Sequence, residues 1–376
     1  MRVALSAFFL GQQTTGSGQY TFHLLRHLPE LEAGHELFLI APEDVGYKGP
    51  AQWVKALTPF TGRSENWAKL WFEQISFPRA CRKVKVDVAH VPYFAPPLLP
   101  SVPTVITIHD LIPLILPIYR RQLSVRLYNM LVSAAARRAS LILTDSHASK
   151  RDIVRLLKIP PERVRVIYLA VGEIFRPLQE EARLAEVRRK YGLPQRYILY
   201  LGGFDQRKNL PTLLKAFARV AGKEAAPLVI AGRLPERETP LFPNPRRLVK
   251  ELGLEGKVIF TGWVAEEDKP ALYSGTELFV FPSLYEGFGL PVLEALACGV
   301  PAVVSNAGSL PEIVGEGGIT CPPTDIEGLA GAMAALLEDE ERRAHLRAKA
   351  SAQAARFSWR ETARRTLEAY REVAKV

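Results

Sequence analysis

At 376 residues the chain exceeds what one hydrophobic core usually serves, so two domains are predicted. Apolar residues make up 48% and charged residues 23%, which excludes a disordered chain, and no apolar run reaches the ~18 residues of a membrane-spanning helix. The net charge of +10 is uneven: residues 1–176 hold 22 Lys/Arg against 13 Asp/Glu, whereas residues 177–376 hold 27 against 26.

A basic half suits an anionic partner: nucleic acid, a lipid surface or a phosphorylated substrate. An arginine-rich surface with no partner is the alternative. Cys81, Cys298 and Cys321 are odd in number and far apart. That argues against a disulfide framework and a zinc site, and favours a reducing compartment. The apolar start, Met1–Leu10, is short and lacks a small-residue cleavage site, so it reads as a buried first strand rather than a signal peptide.

Short apolar runs without strict alternation predict parallel strands covered on both faces. In chain order they are Val3–Phe8, Glu36–Ile40, Val86–Val91, Thr104–His109, Leu141–Asp145 and Val164–Tyr168. Helical patterns fall between them at Gln19–Leu28 and Leu123–Ala139. The second half repeats the scheme with strands at Tyr197–Leu201, Leu228–Ala231, Val258–Thr261, Leu278–Pro282 and Ala302–Ser305. Its helices are read at Leu210–Val220, Arg246–Leu252 and Pro291–Ala297. Such alternation predicts two doubly wound α/β sheets. Gly172–Leu193 is the expected boundary, dividing 1–176 from 177–356, with one further amphipathic helix at 357–376.

Four strand ends carry chemistry. Thr14-Thr15-Gly16-Ser17-Gly18-Gln19-Tyr20 is a glycine turn opening the first helix, where backbone N–H groups can meet a phosphate. Thr21 stands where a dinucleotide fingerprint needs glycine, and no acidic residue follows the second strand, so NAD binding is not expected. A plain tight turn is the alternative. His109-Asp110 closes its strand at the edge where sites gather in open sheets. Gly202-Gly203-Phe204-Asp205-Gln206-Arg207-Lys208-Asn209 opens the second domain's first helix with two adjacent cations suited to a diphosphate. The most specific is Glu286-Gly287-Phe288-Gly289-Leu290-Pro291-Val292-Leu293-Glu294, a glycine loop running into a helix. Its amides and the helix N-terminus suit a phosphate or sugar hydroxyls, flanked by two carboxylates that accept hydrogen bonds. His23 and His27 lie four apart on a helix without a third ligand and read as surface or packing residues.

With Glu286 and Glu294 inside Glu-Gly-Phe-Gly-Leu-Pro-x-x-Glu-Ala, the sequence resembles the family 4 nucleotide-sugar glycosyltransferases of retaining type, with the GT-B architecture. Ser146–Asp152, Arg207-Lys208-Asn209 and Gly262-Trp263-Val264 join that resemblance, which spans essentially the whole chain. It implies two Rossmann-like domains facing a cleft, an acceptor domain at 1–176, a nucleotide-sugar domain at 177–356, and a terminal helix crossing back to the first. It further implies Arg207 and Lys208 on the donor diphosphate and Glu294 on the ribose. Glu286 and the backbone of Gly287, Phe288, Gly289 and Leu290 would hold the donor sugar. Gly16 and Gly18 would close over the phosphates, with Gly203 in the facing turn. Val264 would meet the base, and His109 the reacting region. Asp110, Asp145 and Ser146 are looser candidates for the acceptor side.

No Asp-x-Asp is found, so no metal and no cofactor are expected. A front-face, metal-independent transfer with retention follows, stabilised by cations and helix N-termini. By similarity of the 283–291 and 309–312 stretches to mannosyltransferase-like members, GDP-mannose is the favoured donor and a UDP-sugar such as UDP-glucose the second. A non-catalytic nucleotide-sugar-binding protein is the alternative from another class. The acceptor is read as a glycan or lipid-linked sugar. No nucleic-acid motif is visible, so the basic half is assigned to acceptor or membrane. Trp67, Trp71 and Phe72 beside Lys69, and Leu114–Tyr119 before Arg120-Arg121, suggest docking on an anionic membrane, with core packing as the alternative for the aromatics. The expected location is cytoplasmic and peripheral at the inner membrane face.

Overall fold

The computed structural model describes residues 1–10, 16–31, 34–60, 64–120, 123–222 and 226–374. Thr14, Thr15 and Arg121 of the sequence motifs lie outside them. The chain forms two compact units, residues 1–169 with 358–376 and residues 170–357. The sequence reading put these divisions at 176/177 and 356/357. Residues 170–176 fall in the second unit, where Phe175 packs edge-on against Tyr273 with centroids 6.3 Å apart.

The first unit holds seven parallel strands. They are β1 (Arg2–Ser6), β2 (Glu36–Ala41), β3 (Gln52–Lys55), β4 (Val88–Val91), β5 (Thr104–Thr107), β6 (Leu141–Thr144) and β7 (Val164–Val166), in the order β3-β2-β1-β4-β5-β6-β7. The second holds six, β8 (Ile198–Leu201), β9 (Leu228–Ala231), β10 (Val258–Gly262), β11 (Leu278–Phe281), β12 (Ala302–Ser305) and β13 (Gly318–Cys321), in the order β10-β9-β8-β11-β12-β13. Central strands such as β4, β5, β11 and β12 are buried at every residue, which is why they read as unbroken apolar runs. Each sheet reverses its winding once, between β1 and β4 and between β8 and β11. At such a point the chain leaves adjacent strands in opposite directions and opens a crevice at their carboxyl ends.

Two strands escape the sequence pattern, and both are outermost. β3 leaves most of its residues exposed. β13 begins with Gly318, whose missing Cβ would lie 2.0 Å from the Ala302 carbonyl oxygen of β12. A glycine needed for close strand approach looks like a turn in the sequence.

The terminal helix Trp359–Ala374 belongs to the first unit. Its buried stripe of Trp359, Ala363, Thr366, Leu367 and Tyr370 recurs at helical spacing. His23 of helix Gly16–Leu31 stacks on Trp359 at 4.6 Å, so this histidine is a packing residue. Tyr370 ties the helix to the sheet through His90, 2.7 Å from its Nδ1. Among the described residues no helix is long and apolar enough to cross a membrane.

Candidate active site

In the second unit, the ends of β8 and β11 meet at the reversal of the sheet. The segment after β8 carries Asp205, Arg207 and Lys208; the segment after β11 carries Glu286. Glu286 is buried, yet two cations share its carboxylate. Arg207 Nη1 lies 2.5 Å from Oε2 and Lys208 Nζ 2.8 Å from Oε1. Arg207 also pairs with Asp205 at 3.3 Å and donates to the Tyr285 carbonyl at 3.1 Å. The Lys208 ammonium stands 4.6 Å from the centre of the Phe281 ring. The two segments are stitched together by backbone: Leu284 N donates to Arg207 O at 2.7 Å. Asn209, at φ +57°, donates from Nδ2 to the carbonyls of Pro282 and Pro323 at 3.0 and 2.6 Å.

Burial works against a charge on Glu286, but Lys208 and Arg207 outweigh it and hold the carboxyl below its ordinary range. Burial lowers the Lys208 pKa, and Arg207 beside it pushes the same way, against the pull of Glu286. The site therefore holds two closely spaced cations, with one carboxylate able to exchange partners when an anion arrives.

The loop after Glu286 is fixed from behind. Ser309 Oγ donates to Phe288 O at 2.6 Å, and Ser309 N to Glu286 O at 3.1 Å. Gly289, at φ +103°, opens helix Leu290–Ala297, with Pro291 in its first turn. Glu294 lies one turn in and is buried. Its Oε2 accepts from the Tyr273 hydroxyl at 2.8 Å, and Lys269 stands 3.9 Å from Oε1. Burial, more than Lys269 can offset, raises its pKa. The Gly203 carbonyl accepts from the Tyr200 hydroxyl at 2.6 Å. Val264 is buried just beyond β10, next to an exposed Trp263.

In the first unit, His109 follows β5. Its Nδ1 lies 2.7 Å from Asp145 Oδ2 and its Nε2 3.2 Å from the Pro92 carbonyl. Both partners only accept, so both ring nitrogens are placed to donate, as in an imidazolium. Burial opposes that charge, but Asp145, with Asp110 and the Pro92 carbonyl adding to it, raises the pKa above the ordinary histidine value. Tyr20 packs edge-on against the His109 ring at 5.1 Å. Ser146 caps helix His147–Leu157 by accepting from Ser149 N at 3.0 Å, and Asp110 Oδ1 accepts from Ile112 N at 2.9 Å. Gly16 and Gly18 lie in the first turn of helix Gly16–Leu31.

Comparison with known proteins decides the family. The family described as Glycosyl transferases group 1 matches residues 185–353, and Glycosyltransferase Family 4 matches residues 14–172. The O-antigen chain mannosyltransferase B of Escherichia coli is 35% identical over 78% of this chain and 76% of its own length. The chain belongs to glycosyltransferase family 4. It is also 36% identical, over 71% of its length, to a serotype-specific mannosyltransferase of E. coli, of which the match spans 33%. Among solved structures, a sucrose-phosphate synthase from Thermosynechococcus elongatus superposes with a TM-score of 0.77 at 23% identity, covering 99% of both chains. The Anabaena HepE complex with UDP and glucose superposes with a TM-score of 0.72 at 19% identity, covering 98% of both. These likenesses establish the GT-B fold, and the chain is a hexosyltransferase by its relatives.

Within this glycosyltransferase the structure brings Arg207, Lys208 and Glu286 into direct contact and gives Glu294 a separate set of partners. Asp205, Asn209, Tyr273 and Lys269 complete these sets. Asp205 and Asn209 were within reach of sequence reasoning, since they stand inside the glycine motif itself. Tyr273 and Lys269 belong to helix Lys269–Ser274 and carry no local signal. The residues read for membrane docking divide between core and surface. Phe72 is fully buried, and Lys69 faces inward, paired with Glu73 and set among aromatic rings. Leu114, Ile115, Ile118 and Tyr119 are half-buried. Trp67 is exposed (60%), and further exposed apolar side chains include Leu123, Leu127 and Met130 on helix Leu123–Ala136.

Proposed function

We propose that this glycosyltransferase moves mannose from GDP-mannose to a glycan or lipid-linked acceptor with retention at the anomeric carbon. The observation that carries the reading is the Arg207–Glu286–Lys208 cluster at the reversal of the second sheet. A donor diphosphate arriving there meets two cations already held at fixed positions. They stabilise the charge that grows as the sugar leaves, without reorganisation at that moment. Glu286, freed from one cation, accepts from a donor-sugar hydroxyl, and Glu294 accepts from the ribose. The acceptor oxygen bonds to the anomeric carbon on the face from which the diphosphate departs, the carbon–phosphate oxygen bond breaks, and the acceptor proton passes to a leaving phosphate oxygen. In this reading the charge is met by side chains and amides, so neither metal nor cofactor is required. The mannosyl donor is favoured because relatives at about a third identity over most of the chain are mannosyltransferases.

The test has two parts. Glu286→Ala or Lys208→Ala is expected to lower turnover by at least ~100-fold, the scale of removing a charge-stabilising group. Rates near wild type would sink the site assignment. A thermal-shift screen of nucleotide-sugars is expected to show GDP-mannose raising the melting temperature, since a bound donor stabilises by mass action. A response to UDP-sugars alone would replace the donor.

We also propose peripheral association of the first unit with an anionic membrane surface. Leu123, Leu127 and Met130 recur at i, i+4 and i+7, so they form one exposed stripe on a helix of the basic unit.

A further inference from the structure

The sheet of the first unit reverses between β1 and β4, and the residues just past those two strands are aromatic. Phe8 and Phe9 follow β1, and Tyr93 follows β4. Phe9 lies edge-on to Phe8 at 5.2 Å and to Tyr93 at 4.8 Å. Two helices bring polar groups to this wall. Lys69, on helix Glu65–Trp71, holds its ammonium 5.0 Å from the Tyr128 ring centre, 5.4 Å from Phe9 and 5.9 Å from Tyr93. Beneath it the Glu73 carboxylate is buried, 3.6 Å from Lys69 Nζ and 3.3 Å from the Tyr128 hydroxyl. The ammonium–carboxylate distance exceeds the ~2.8 Å of a close charge-assisted hydrogen bond. Lys69, Phe9 and Tyr128 all reach solvent, with the Lys69 side chain 28% exposed.

A core would not place an ammonium and a carboxylate here. Burying the pair costs desolvation that hydrophobic residues of the same size avoid. The carboxyl reflects that cost: burial raises the Glu73 pKa to about 7, although Lys69 and the Tyr128 hydroxyl act against it. Aromatic faces beside one donor and one acceptor are the pattern that recognises a sugar ring, with C–H faces against the rings and hydroxyls bonded at the edge. The charges decide the class. The buried Glu73 carboxyl, ionising near neutral pH, offsets part of the Lys69 charge there, and an anionic ligand that reached Lys69 would also face Glu73.

We propose that Lys69, Glu73, Tyr128 and Phe9 form an acceptor subsite that binds an uncharged sugar ring, with Lys69 donating to a ring hydroxyl and Phe9 covering its apolar face. This rests on the reading that the first unit takes the acceptor, but it can be tested without transfer. Saturation-transfer NMR with methyl α-mannoside on the full chain reads binding directly. Lys69→Gln and Tyr128→Phe are expected to weaken binding at least ~10-fold, with circular dichroism and the GDP-mannose thermal shift unchanged. Octyl α-mannoside as acceptor is then expected to show a raised KM at unchanged donor KM and unchanged acceptor-free donor hydrolysis. Equal methyl α-mannoside binding by wild type and both variants overturns the subsite. Tighter binding of mannose 6-phosphate than of methyl α-mannoside overturns its neutral character. Loss of the donor thermal shift in wild type itself overturns the donor reading and leaves the NMR result to stand alone.

Discussion

Two histidines of the first unit show how environment sets a residue's chemistry. His90 is fully buried between Tyr370 and the Thr107 hydroxyl, and burial lowers its pKa to about 3. It is a neutral structural residue. His109 is half-buried, Asp145 faces its Nδ1, and its pKa is raised. The sequence places His109 at one strand end and Asp145 at the next, 36 residues later, but says nothing of their pairing. Because the folded pKa lies above the unfolded value of about 6.5, the pairing contributes its full stability below that value. The contribution is lost as pH rises through the folded pKa. In Asp145→Asn the main opposing cause is gone, burial dominates, and the His109 midpoint is expected to fall below about 6.5. Imidazole NMR titration measures it. The stability lost in the variant should be largest near pH 6 and shrink at higher pH. An unmoved midpoint would show that Asp145 does not set the charge.

At the scale of elements, every interior strand was legible, as were the edge strands β7 and β10, while the edge strands β3 and β13 were not, because a strand covered on both faces must be apolar throughout while an edge need not be. The same logic governs the site. Arg207, Lys208 and Glu286 were legible because each stands beside glycines at a strand end. Lys69 was read only as a cation for membrane docking, and Glu73 and Tyr128 were not singled out, since their meeting with Lys69 depends on how the elements pack. The loop carrying Glu286 depends on a glycine from another element. Gly308 sits at φ +60°, and a Cβ there would lie 2.3 Å from Glu286 O and 2.9 Å from Glu286 N. Gly308→Ala therefore combines left-handed strain with a backbone clash, and is expected to cost at least ~1–2 kcal/mol and raise the donor KM. Gly331, inside helix Ile326–Glu338, has nothing within 4 Å of the same ideal position. Gly331→Ala is expected to stabilise by up to ~1 kcal/mol through helix propensity, with donor KM unchanged. Urea unfolding and donor kinetics on both variants check the contrast. Similar effects from the two would mean that Gly308 does not brace the Glu286 loop.

For the whole molecule, the structural division sharpens the charge asymmetry. With the terminal helix assigned to the first unit, that unit holds 26 Lys/Arg against 15 Asp/Glu, a net +11, and the second holds 23 against 24, a net −1. The cations that the donor reading uses thus stand in the unit with almost no net charge, where position matters more than field. In the first unit the caged Lys69 is instead paired with Glu73. A surplus spread over a surface, next to an exposed stripe of Leu123, Leu127 and Met130, is suited to an anionic bilayer. Two contributions make separable predictions. The electrostatic part is screened within about 10 Å at 0.1 M salt, so cosedimentation with vesicles containing anionic lipid should weaken steeply between about 0.05 M and 0.5 M salt. The apolar part is insensitive to salt. Leu127→Glu with Met130→Glu should therefore reduce binding at both salt concentrations, removing apolar burial and adding repulsion together. Neutral vesicles should bind the wild type only about as weakly as anionic vesicles do at high salt, and the double variant less still. Equal sedimentation of wild type and the double variant with anionic vesicles would show that this helix face does not meet the membrane, whatever the net charge of the unit.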